Sequence, residues 1–529
     1  MKWDTRVSHF VFGGEKMLSK SQRNSLRMKR IKRVSKQLAC QLLVLYAINI
    51  PIISAEAFSE SDKMVENPVV EFQEVNVHDP SIIQTEEGMY YVIGSHLHFA
   101  KSQDLVSWEQ LSYDVASSPL FEDITFEFAE EFAYAKTDTF WASDIIQLAD
   151  GRYYLYYCLC EGSSPLSILG VAVADSIEGP YQKIESFLKS GSRYTPDMQA
   201  YDATIHPNAI DPHVFFDQEN RLWMTYGSYS GGIYILELNP ETGLPLAENY
   251  DYGTKLLGGN HSRIEAPYIL YNPETGYYYL FVSYGGLGQA DGYNIRVARS
   301  KAPDGPYVDY TGNQMIDAKG ATGTFFDDEA IAHYGTKMLG NMLWDYQDGV
   351  MNKGYMSPGH NSAYYDEATG ESYIVFHTRF PGRGETFEVR VHRLIFNDEG
   401  WPSVAPQRYA GEELLFETEL DNISGLYMWN TTQLEISGMK ERSIFLLIEG
   451  DKAYGYEQLT NSDSIDTADY IGDISIWDNG TAHLEFEDFE IKGNFYYQWD
   501  DVIGAETLGF SGFDNNQIAV WLSQLIEAE

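Results

Sequence analysis

Five segments of the chain repeat one pattern of apolar and polar positions. Each has an apolar run, a polar turn that contains Gly or Asn, and an aromatic-rich second run; the segments begin at Ser81, Asp144, His213, Tyr268 and Ala363. Two such runs joined by a tight turn predict a β-hairpin. The segments recur at intervals of roughly 55 to 95 residues, which is too long for a solenoid and predicts the blades of a five-bladed β-propeller.

The residues just ahead of each repeat differ from one repeat to the next. The innermost strands of a propeller surround one axis, so equivalent positions converge on one pocket. If the repeat were scaffold only, these positions would hold similar residues. A ring of acidic, histidine and aromatic side chains there instead predicts a catalytic pocket for a sugar. The pairs that stand three and two positions before each repeat are His78-Asp79, Trp141-Ala142, Ile210-Asp211, Glu265-Ala266 and His360-Asn361.

Three of these side chains are carboxylates, which is the chemistry that glycoside hydrolysis requires. One carboxyl group must protonate the leaving oxygen, and a second must activate water or attack the carbon. Asp79, Asp211 and Glu265 would repel one another around the axis, so at least one of them has a raised pKa and serves as the acid. The pattern does not decide which of the three this is.

The remaining side chains of the ring predict contacts to the substrate. Trp141 offers a flat face on which a sugar can stack. We expect His78 to contact the substrate, and His360 to bind substrate, orient an acid or touch a metal. Two further histidines of the last repeat, His377 and His392, are expected to be structural.

The pattern changes after the fifth repeat. Residues 413–529 contain short alternating runs separated by Gly, Asn and Asp turns, which predict a separate antiparallel β-domain. We therefore predict an all-β protein, with a five-bladed β-propeller over 77–412 and a smaller, β-barrel-like antiparallel domain over 413–529. Two insertions, 112–140 and 308–358, interrupt the propeller repeats and are expected to shape a binding cleft.

The N-terminus has the pattern of a signal peptide. Residues 1–37 carry eleven Lys and Arg, Leu38 to Ser54 form an apolar run, and the next three residues read Ala-Glu-Ala. This order matches a basic region, an apolar core and a cleavage site. We predict cleavage after Ala57, which removes 1–57 and leaves a secreted, extracellular protein with no stable membrane insertion. A lasting membrane anchor is the alternative, although the apolar run is short for a span.

The net charge of the chain narrows the possible partners. The chain has a net charge of −42, and loss of the basic N-terminal segment would make it more acidic. Like charges repel, so nucleic acid and acidic polysaccharides are unfavourable partners and a neutral polysaccharide is favoured.

Cys158 and Cys160 lie two residues apart on one predicted strand, where a disulfide would be strained, so we expect buried thiols. We expect the protein to be a monomer.

The motifs around these residues together resemble family 43 of the glycoside hydrolases. The resemblance runs from about residue 75 to 412 and is greatest to the larger two-domain endo-arabinanases of that family. It implies a five-bladed propeller followed by a second β-domain. Ser143 departs from the family pattern, in which Trp-Ala-Pro-Asp is commoner than Trp-Ala-Ser-Asp. The motifs are VHDPSII, FWASDI, NAIDPHVFF, SRIEAPYI and SPGHNSAYYDEATG.

The resemblance implies an inverting mechanism and a role for each acidic residue. Asp79 matches the general base that activates water, Glu265 the general acid, and Asp211 the group that tunes the pKa of the acid and orients the sugar. His360 matches a histidine near a calcium ion that is coordinated mostly by water, as expected for a cation that prefers oxygen ligands. The residues expected to contact the substrate are His78, Trp141, Asn208, Ser228 and Ser283.

The predicted function is that of a secreted endo-α-1,5-L-arabinanase acting on arabinan, a neutral plant cell-wall polysaccharide. One alternative is an exo-acting α-L-arabinofuranosidase or β-xylosidase of the same family. Endo or exo action depends on whether the two insertions leave an open groove or a closed pocket. A second alternative is a sugar-binding propeller without catalysis, which would need no acid pair at the axis.

Overall fold

The structure is a computed structural model that describes residues 70–246, 251–350, 352–459, 467–477 and 479–526. These residues belong to one compact unit, Asn67–Glu529. The predicted signal peptide, 1–57, lies outside the described residues. Within the described part of the chain, no helix combines the length and the apolar character that crossing a membrane requires.

Five antiparallel sheets form the blades of a propeller, as the repeats predict, and every repeat begins within the first of the four strands that all blades share. Four blades have four strands each, and the fifth is widened by two further strands. The strands are β1 (Ser81–Gln84), β2 (Tyr90–Ile93), β3 (Phe99–Ser102) and β4 (Trp108–Ser112) in blade 1; β5 (Asp144–Gln147), β6 (Tyr153–Cys160), β7 (Ser167–Ala174) and β8 (Gln182–Lys189) in blade 2; β9 (His213–Phe216), β10 (Leu222–Tyr226), β11 (Ile233–Leu238) and β12 (Thr254–Leu257) in blade 3; β13 (Ile264–Asn272), β14 (Tyr277–Tyr284), β15 (Asn294–Ser300) and β16 (Thr336–Leu339) in blade 4; and β17 (Met342–Trp344), β18 (Lys353–Tyr365), β19 (Ser372–Arg379), β20 (Phe387–Phe396) and β21 (Pro402–Val404) in blade 5.

The second strand of each blade is apolar on both faces because it lies between two neighbouring blades. Successive side chains of a strand point to opposite faces, so adjacent residues enter different cores. In β6, Leu155 packs towards blade 1 and Tyr154 packs towards blade 3. In β19, Ile374 packs towards blade 4 and Val375 packs towards blade 1, which closes the ring.

Asp144 ties together the first strands of three blades close to the axis. Its carboxylate, on β5, accepts a hydrogen bond of 2.5 Å from the Ser81 hydroxyl on β1. It also accepts one of 2.6 Å from the backbone N–H of Val214 on β9 and lies 3.2 Å from Nδ1 of His213. The side chain is buried, so these bonds hold the inner strands together where the pocket begins.

The C-terminal segment forms a closed eight-stranded antiparallel barrel, which confirms the β-barrel-like fold predicted for it. The barrel closes because its first strand pairs with both its second and its last. The predicted boundary at 412 falls between β21 and the first barrel strand. The barrel strands are β22 (Gly425–Thr431), β24 (Ile444–Glu449), β25 (Lys452–Tyr456), β26 (Tyr470–Ile476), β27 (Thr481–Phe486), β28 (Glu490–Asp500), β29 (Ala505–Asp514) and β30 (Ala519–Leu525), and β23 (Glu441–Arg442) lies outside the barrel.

The barrel packs directly against the propeller. Strand β23 pairs in parallel with β17 and so extends the sheet of blade 5. Trp344 of β17 stacks on Trp521 of β30 with ring centroids 5.9 Å apart. The buried ammonium of Lys337 donates to the backbone oxygens of residues 433 and 435 at 2.6 and 2.9 Å. Burial lowers the pKa of Lys337 to about 7.

The two insertions have different positions. The first, 112–140, packs on blade 2 through Phe128 and Phe140, whose rings contact Tyr157. The second, 308–358, is not all loop, since it contains β16 and β17. The helices are α1 (Ile124–Glu127) and α2 (Ala129–Ala135) in the first insertion, α3 (Asp328–Ile331) in the second, and short 3₁₀ turns at Ser95–Leu97, Met315–Asp317 and Leu420–Ile423.

We expect Ser362→Ala to weaken the junction between blades 5 and 1. The buried Ser362 hydroxyl donates to the carbonyl oxygen of Pro80 at 2.7 Å, and the substitution leaves that buried oxygen unsatisfied. The expected loss is about 1–3 kcal/mol of unfolding free energy, measured by chemical denaturation. Ser372→Ala is the matched control, because this buried hydroxyl has no hydrogen-bond partner within the described residues. Equal losses in the two variants would contradict the expectation.

Candidate active site

The residues that stand two and three positions before each repeat converge at one end of the propeller axis. A cavity of about 480 Å³ lies there and takes residues from every blade. The first insertion contributes none of the described residues that line it, whereas the second contributes two phenylalanines. The lining residues are Asp79, Trp141, Cys160, Gly162, Ser163, Ser164, Pro165, Asn208, Ile210, Asp211, Ser228, Tyr229, Ser230, His261, Glu265, Leu287, Phe325, Phe326 and His360.

The backbone two residues before the repeat is left-handed in three blades. Asp79, Asp211 and Ala266 occupy the same place in blades 1, 3 and 4, and their φ angles are 59°, 56° and 56°. In blade 4, the register with β14 also shifts between Glu265 and Tyr268, which indicates a β-bulge. Such conformations cost energy in residues other than glycine and cluster at functional sites, where they re-aim side chains.

Asp79 lies among histidines. Its carboxylate oxygens are 2.8 Å from Nδ1 of His78 and 3.0 Å from Nδ1 of His360, and one oxygen accepts a hydrogen bond from the Ser95 hydroxyl. Its backbone N–H donates to Nδ1 of His377 at 3.1 Å. Burial alone would raise the pKa of Asp79, but the attraction and hydrogen bonds of His360 and His78 outweigh burial and hold this pKa well below its usual value.

His360 faces the carboxylates from blade 5. Its backbone N–H donates to the Ser283 hydroxyl at 2.7 Å, which fixes the start of its blade against β14. Burial would lower the pKa of His360, but the negative charges of Asp79 and Asp211 raise this pKa to about 9. An imidazolium at this position therefore places positive charge between two carboxylates.

Glu265 is held by two hydroxyl donors. Ser228 donates to Oε2 and Tyr293 donates to Oε1, each at 2.8 Å. Removal from bulk water raises the pKa of Glu265, and both hydrogen bonds act in the opposite direction because they favour the ionised form. Tyr293 fits behind Glu265 because Gly359 lacks a side chain, since a Cβ there would lie 2.0 Å from the Tyr293 ring.

Asp211 is the third carboxylate of the cavity. It is buried, and its Oδ2 accepts a hydrogen bond of 3.2 Å from the backbone N–H of Ala266, the residue after Glu265. Burial raises the pKa of Asp211 to about 7, while His360 opposes this rise and the negative charge of Glu265 adds to it. Asp211 and Glu265 are therefore electrostatically linked, and each favours the protonated form of the other.

The residues predicted to contact substrate divide into two groups. Trp141, Asn208 and Ser228 line the cavity. The Trp141 indole donates from Nε1 to the carbonyl oxygen of Cys160 at 2.8 Å, which holds the ring in place. In contrast, Ser283 is fully buried beneath His360, and His78 is 8% exposed behind Asp79. In the structure, Ser283 and His78 contact other residues of the site, which are His360 and Asp79 respectively.

Three supporting residues were not predicted as part of the site: Ser95, Tyr293 and His377. Ser95 follows a glycine at the end of the second strand of blade 1, as Ser228 does in blade 3, and this shared Gly-Ser pair is a signal in the sequence. His377 was expected to be structural, and its neutral ring supports the backbone of Asp79; burial and the nearby His78 hold its pKa well below its usual value. The sequence holds no comparable signal for Tyr293.

The thiols and the other late histidine follow the sequence expectations. Cys158 and Cys160 are buried and free. His392 bonds to the carbonyl oxygen of Ala405 and to the hydroxyl of Tyr355, each at 2.8 Å. These contacts are structural.

The surroundings of His360 fit a metal ligand in one respect. A histidine ligand usually donates its second ring N–H to a carboxylate, and Nδ1 of His360 lies 3.0 Å from Asp79. Nε2 becomes available to a cation only once the imidazolium has lost its proton, so an ion there would replace the positive charge of the ring. Calcium prefers several oxygen ligands, so water in the cavity would have to supply most of its coordination.

Comparisons with known proteins agree with this geometry. The family model for glycosyl hydrolases family 43 matches residues 65–402. The extracellular endo-α-(1→5)-L-arabinanase 2 of Bacillus subtilis (strain 168) is 51% identical over 455 residues, which are 86% of this chain and 94% of that protein. A family 43 glycoside hydrolase from Bacillus licheniformis has a similar structure, with a TM-score of 0.80, 49% identity and coverage of 86% of this chain and 100% of the other. The endo-1,5-α-L-arabinanase of Thermotoga petrophila RKU-1 also has a similar structure, with a TM-score of 0.79 and 41% identity. The similarity covers 86% of this chain and 99% of that one.

Proposed function

The chain belongs to family 43 of the glycosyl hydrolases, and on that basis we propose that it cleaves internal α-1,5-L-arabinofuranosidic bonds of arabinan with inversion. One observation carries the proposal: a single cavity joins a carboxylate held in its ionised form to a carboxyl group whose pKa is raised. Inverting hydrolysis requires this pair, with one group as base and the other as acid. The two similar arabinanases supply the substrate class.

Asp79 is suited to the role of general base. His78 and His360 favour its ionised form and fix the direction of both carboxylate oxygens. An ionised, oriented carboxylate can accept a proton from a water molecule as that water attacks the anomeric carbon. The left-handed backbone at Asp79 and the hydrogen bond from its N–H to His377 hold the carboxylate towards the cavity.

Glu265 is suited to the role of general acid. Its raised pKa keeps more of it protonated near neutral pH, and Ser228 and Tyr293 hold its two oxygens in place. It can then protonate the glycosidic oxygen as the leaving chain departs. Asp211 is suited to tune this step, because negative charge on Asp211 opposes loss of the proton from Glu265.

Calcium at His360 is part of the proposal. His360, with water, would hold the ion through Nε2, and the bound cation would supply positive charge close to the carboxylates. We also propose that the protein acts outside the cell as a monomer, after loss of residues 1–57. The name of the similar Bacillus subtilis protein, an extracellular arabinanase, and the signal-peptide pattern support the location.

The purified protein is expected to convert linear debranched arabinan into a mixture of short oligosaccharides with a rapid fall in viscosity. Chromatography of the products over time, with aryl arabinofuranoside and aryl xyloside assayed in parallel, provides the test. Monosaccharide as the only product, or action on the aryl glycosides alone, would replace endo-arabinanase action with exo-action. Glu265→Gln is the control: it keeps the shape of the side chain and the fold but cannot act as an acid, so hydrolysis should be lost.

Tyr293→Phe is expected to move the alkaline limb of the activity profile to higher pH. The Tyr293 hydroxyl stabilises ionised Glu265, so its removal raises the pKa of Glu265 and keeps the acid protonated further into the alkaline range. The measurement is kcat/KM on arabinan as a function of pH. Tyr229→Phe serves as control, because the Tyr229 hydroxyl donates to the carbonyl oxygen of Gly285 instead. A shift to lower pH in Tyr293→Phe would contradict the assignment of Glu265.

Removal of divalent cations is expected to lower the activity. EDTA should reduce the rate of arabinan hydrolysis, and added calcium should restore it, if His360 holds a calcium ion. His360→Ala should respond to neither treatment. If neither EDTA nor calcium changes the wild-type rate, His360 does not hold a calcium ion and acts only through its hydrogen bonds.

A further inference from the structure

The second insertion places an exposed apolar surface at the edge of the catalytic cavity. Phe325 is 68% exposed, Phe326 is 52% exposed, and both line the cavity together with Leu287, which is 40% exposed. Exposed apolar side chains that cluster beside a binding cavity mark a surface that a ligand covers. We refer to these three residues as the aromatic rim.

The two rings of the aromatic rim are held in place by their neighbours. Phe325 stacks on His261 with ring centroids 4.2 Å apart and an interplanar angle of 7°. Phe326 packs edge-on against Tyr229 at 5.6 Å, and the Arg263 guanidinium lies 5.9 Å from its ring centre. A surface that is both exposed and rigid can bind a flat partner with little loss of side-chain entropy.

Arg263 in turn is paired with the carboxylate of Asp328 in α3, the helix that follows the two phenylalanines. This ion pair links the rim to the start of blade 4. The backbone N–H of Phe326 also donates to the carbonyl oxygen of His261 at 3.3 Å. The rim is thus anchored at the junction of blades 3 and 4.

The aromatic rim lies on the side of the cavity that holds Glu265. Its neighbour Tyr229 directly follows Ser228, which donates to Glu265, and Arg263 stands two residues before Glu265. Trp141, another large aromatic side chain that lines the cavity, belongs to blade 2. These two apolar surfaces belong to different blades, and blade 3 with Asp211 lies between those blades around the axis. This arrangement suits a chain that continues on both sides of the cleaved bond.

We propose that Phe325 and Phe326 bind the arabinofuranose units of the leaving part of the chain. The inference rests on the proposed function, because it takes Glu265 as the acid that protonates the leaving oxygen. Furanose rings offer apolar C–H faces that pack on aromatic rings, and a neutral chain meets no repulsion from the acidic cavity. The leaving part of the chain is the part that ends in the reducing sugar.

The test uses linear arabino-oligosaccharides that carry a label at the reducing end. We expect Phe325→Ala and Phe326→Ala to raise KM about tenfold, as for loss of one buried aromatic contact, with little change in kcat. The labelled fragments should also become shorter. With fewer contacts on the leaving side, the chain binds mainly through its other part, and cleavage moves towards the reducing end.

Two matched variants separate this role from a structural one. Phe325→Tyr keeps an aromatic face and is expected to keep the wild-type KM and cleavage pattern. Phe126→Ala removes a phenylalanine that is 82% exposed in the first insertion, which does not line the cavity, and is expected to behave as wild type. Thermal unfolding of each variant should match the wild type.

Each outcome decides for or against the inference. If the wild type is active, and Phe325→Ala and Phe326→Ala change neither KM nor the fragment lengths, the inference is wrong and the proposed function still stands. Longer labelled fragments would also overturn it, because they place the rim on the other side of the cleaved bond. Wild-type protein that does not hydrolyse arabinan would overturn the proposed function and this inference with it.

Discussion

Mutual repulsion of three carboxylates around one axis is the constraint on which the rest of the site depends. Asp79, Asp211 and Glu265 are largely removed from bulk water, where repulsion between like charges is stronger than at the surface. Burial would lower the pKa of His360, but Asp79 and Asp211 raise it to about 9, so this histidine carries the balancing charge. The three groups consequently differ in protonation: Asp79 is held ionised, whereas the pKa values of the other two are raised.

The propeller makes this arrangement possible because it brings the same position of five blades to one place. Each blade supplies a different side chain there, while the apolar second strands pack the blades together behind it. Asp144 bonds to strands in blades 1 and 3, so the inner strands cannot separate without breaking bonds to a buried carboxylate. The left-handed backbone at Asp79 and Asp211 is strained, and the packing of the surrounding blades keeps these residues in that conformation.

Much of the fold and part of the site could be predicted from residue order. The hairpins follow from local alternation and turn residues. The ring of Asp79, Trp141, Asp211, Glu265 and His360 follows from the positions two and three residues ahead of each repeat. The support around that ring could not be predicted in this way. Its members belong to other elements, and nothing local marks them except the Gly-Ser pairs that end in Ser95 and Ser228.

The sequence by itself determined the repeat, the hairpins, the barrel-like second domain and the five side chains of the ring, because strand, turn and offset are properties of neighbouring residues. Only the tertiary structure decided which residues hold that ring. Asp79 bonds to His377, 298 positions away, and Glu265 bonds to Tyr293 across the space beside Gly359. Such contacts arise when the blades close into a circle, and so do the shifts in pKa, since both depend on distances between segments that the chain order leaves free.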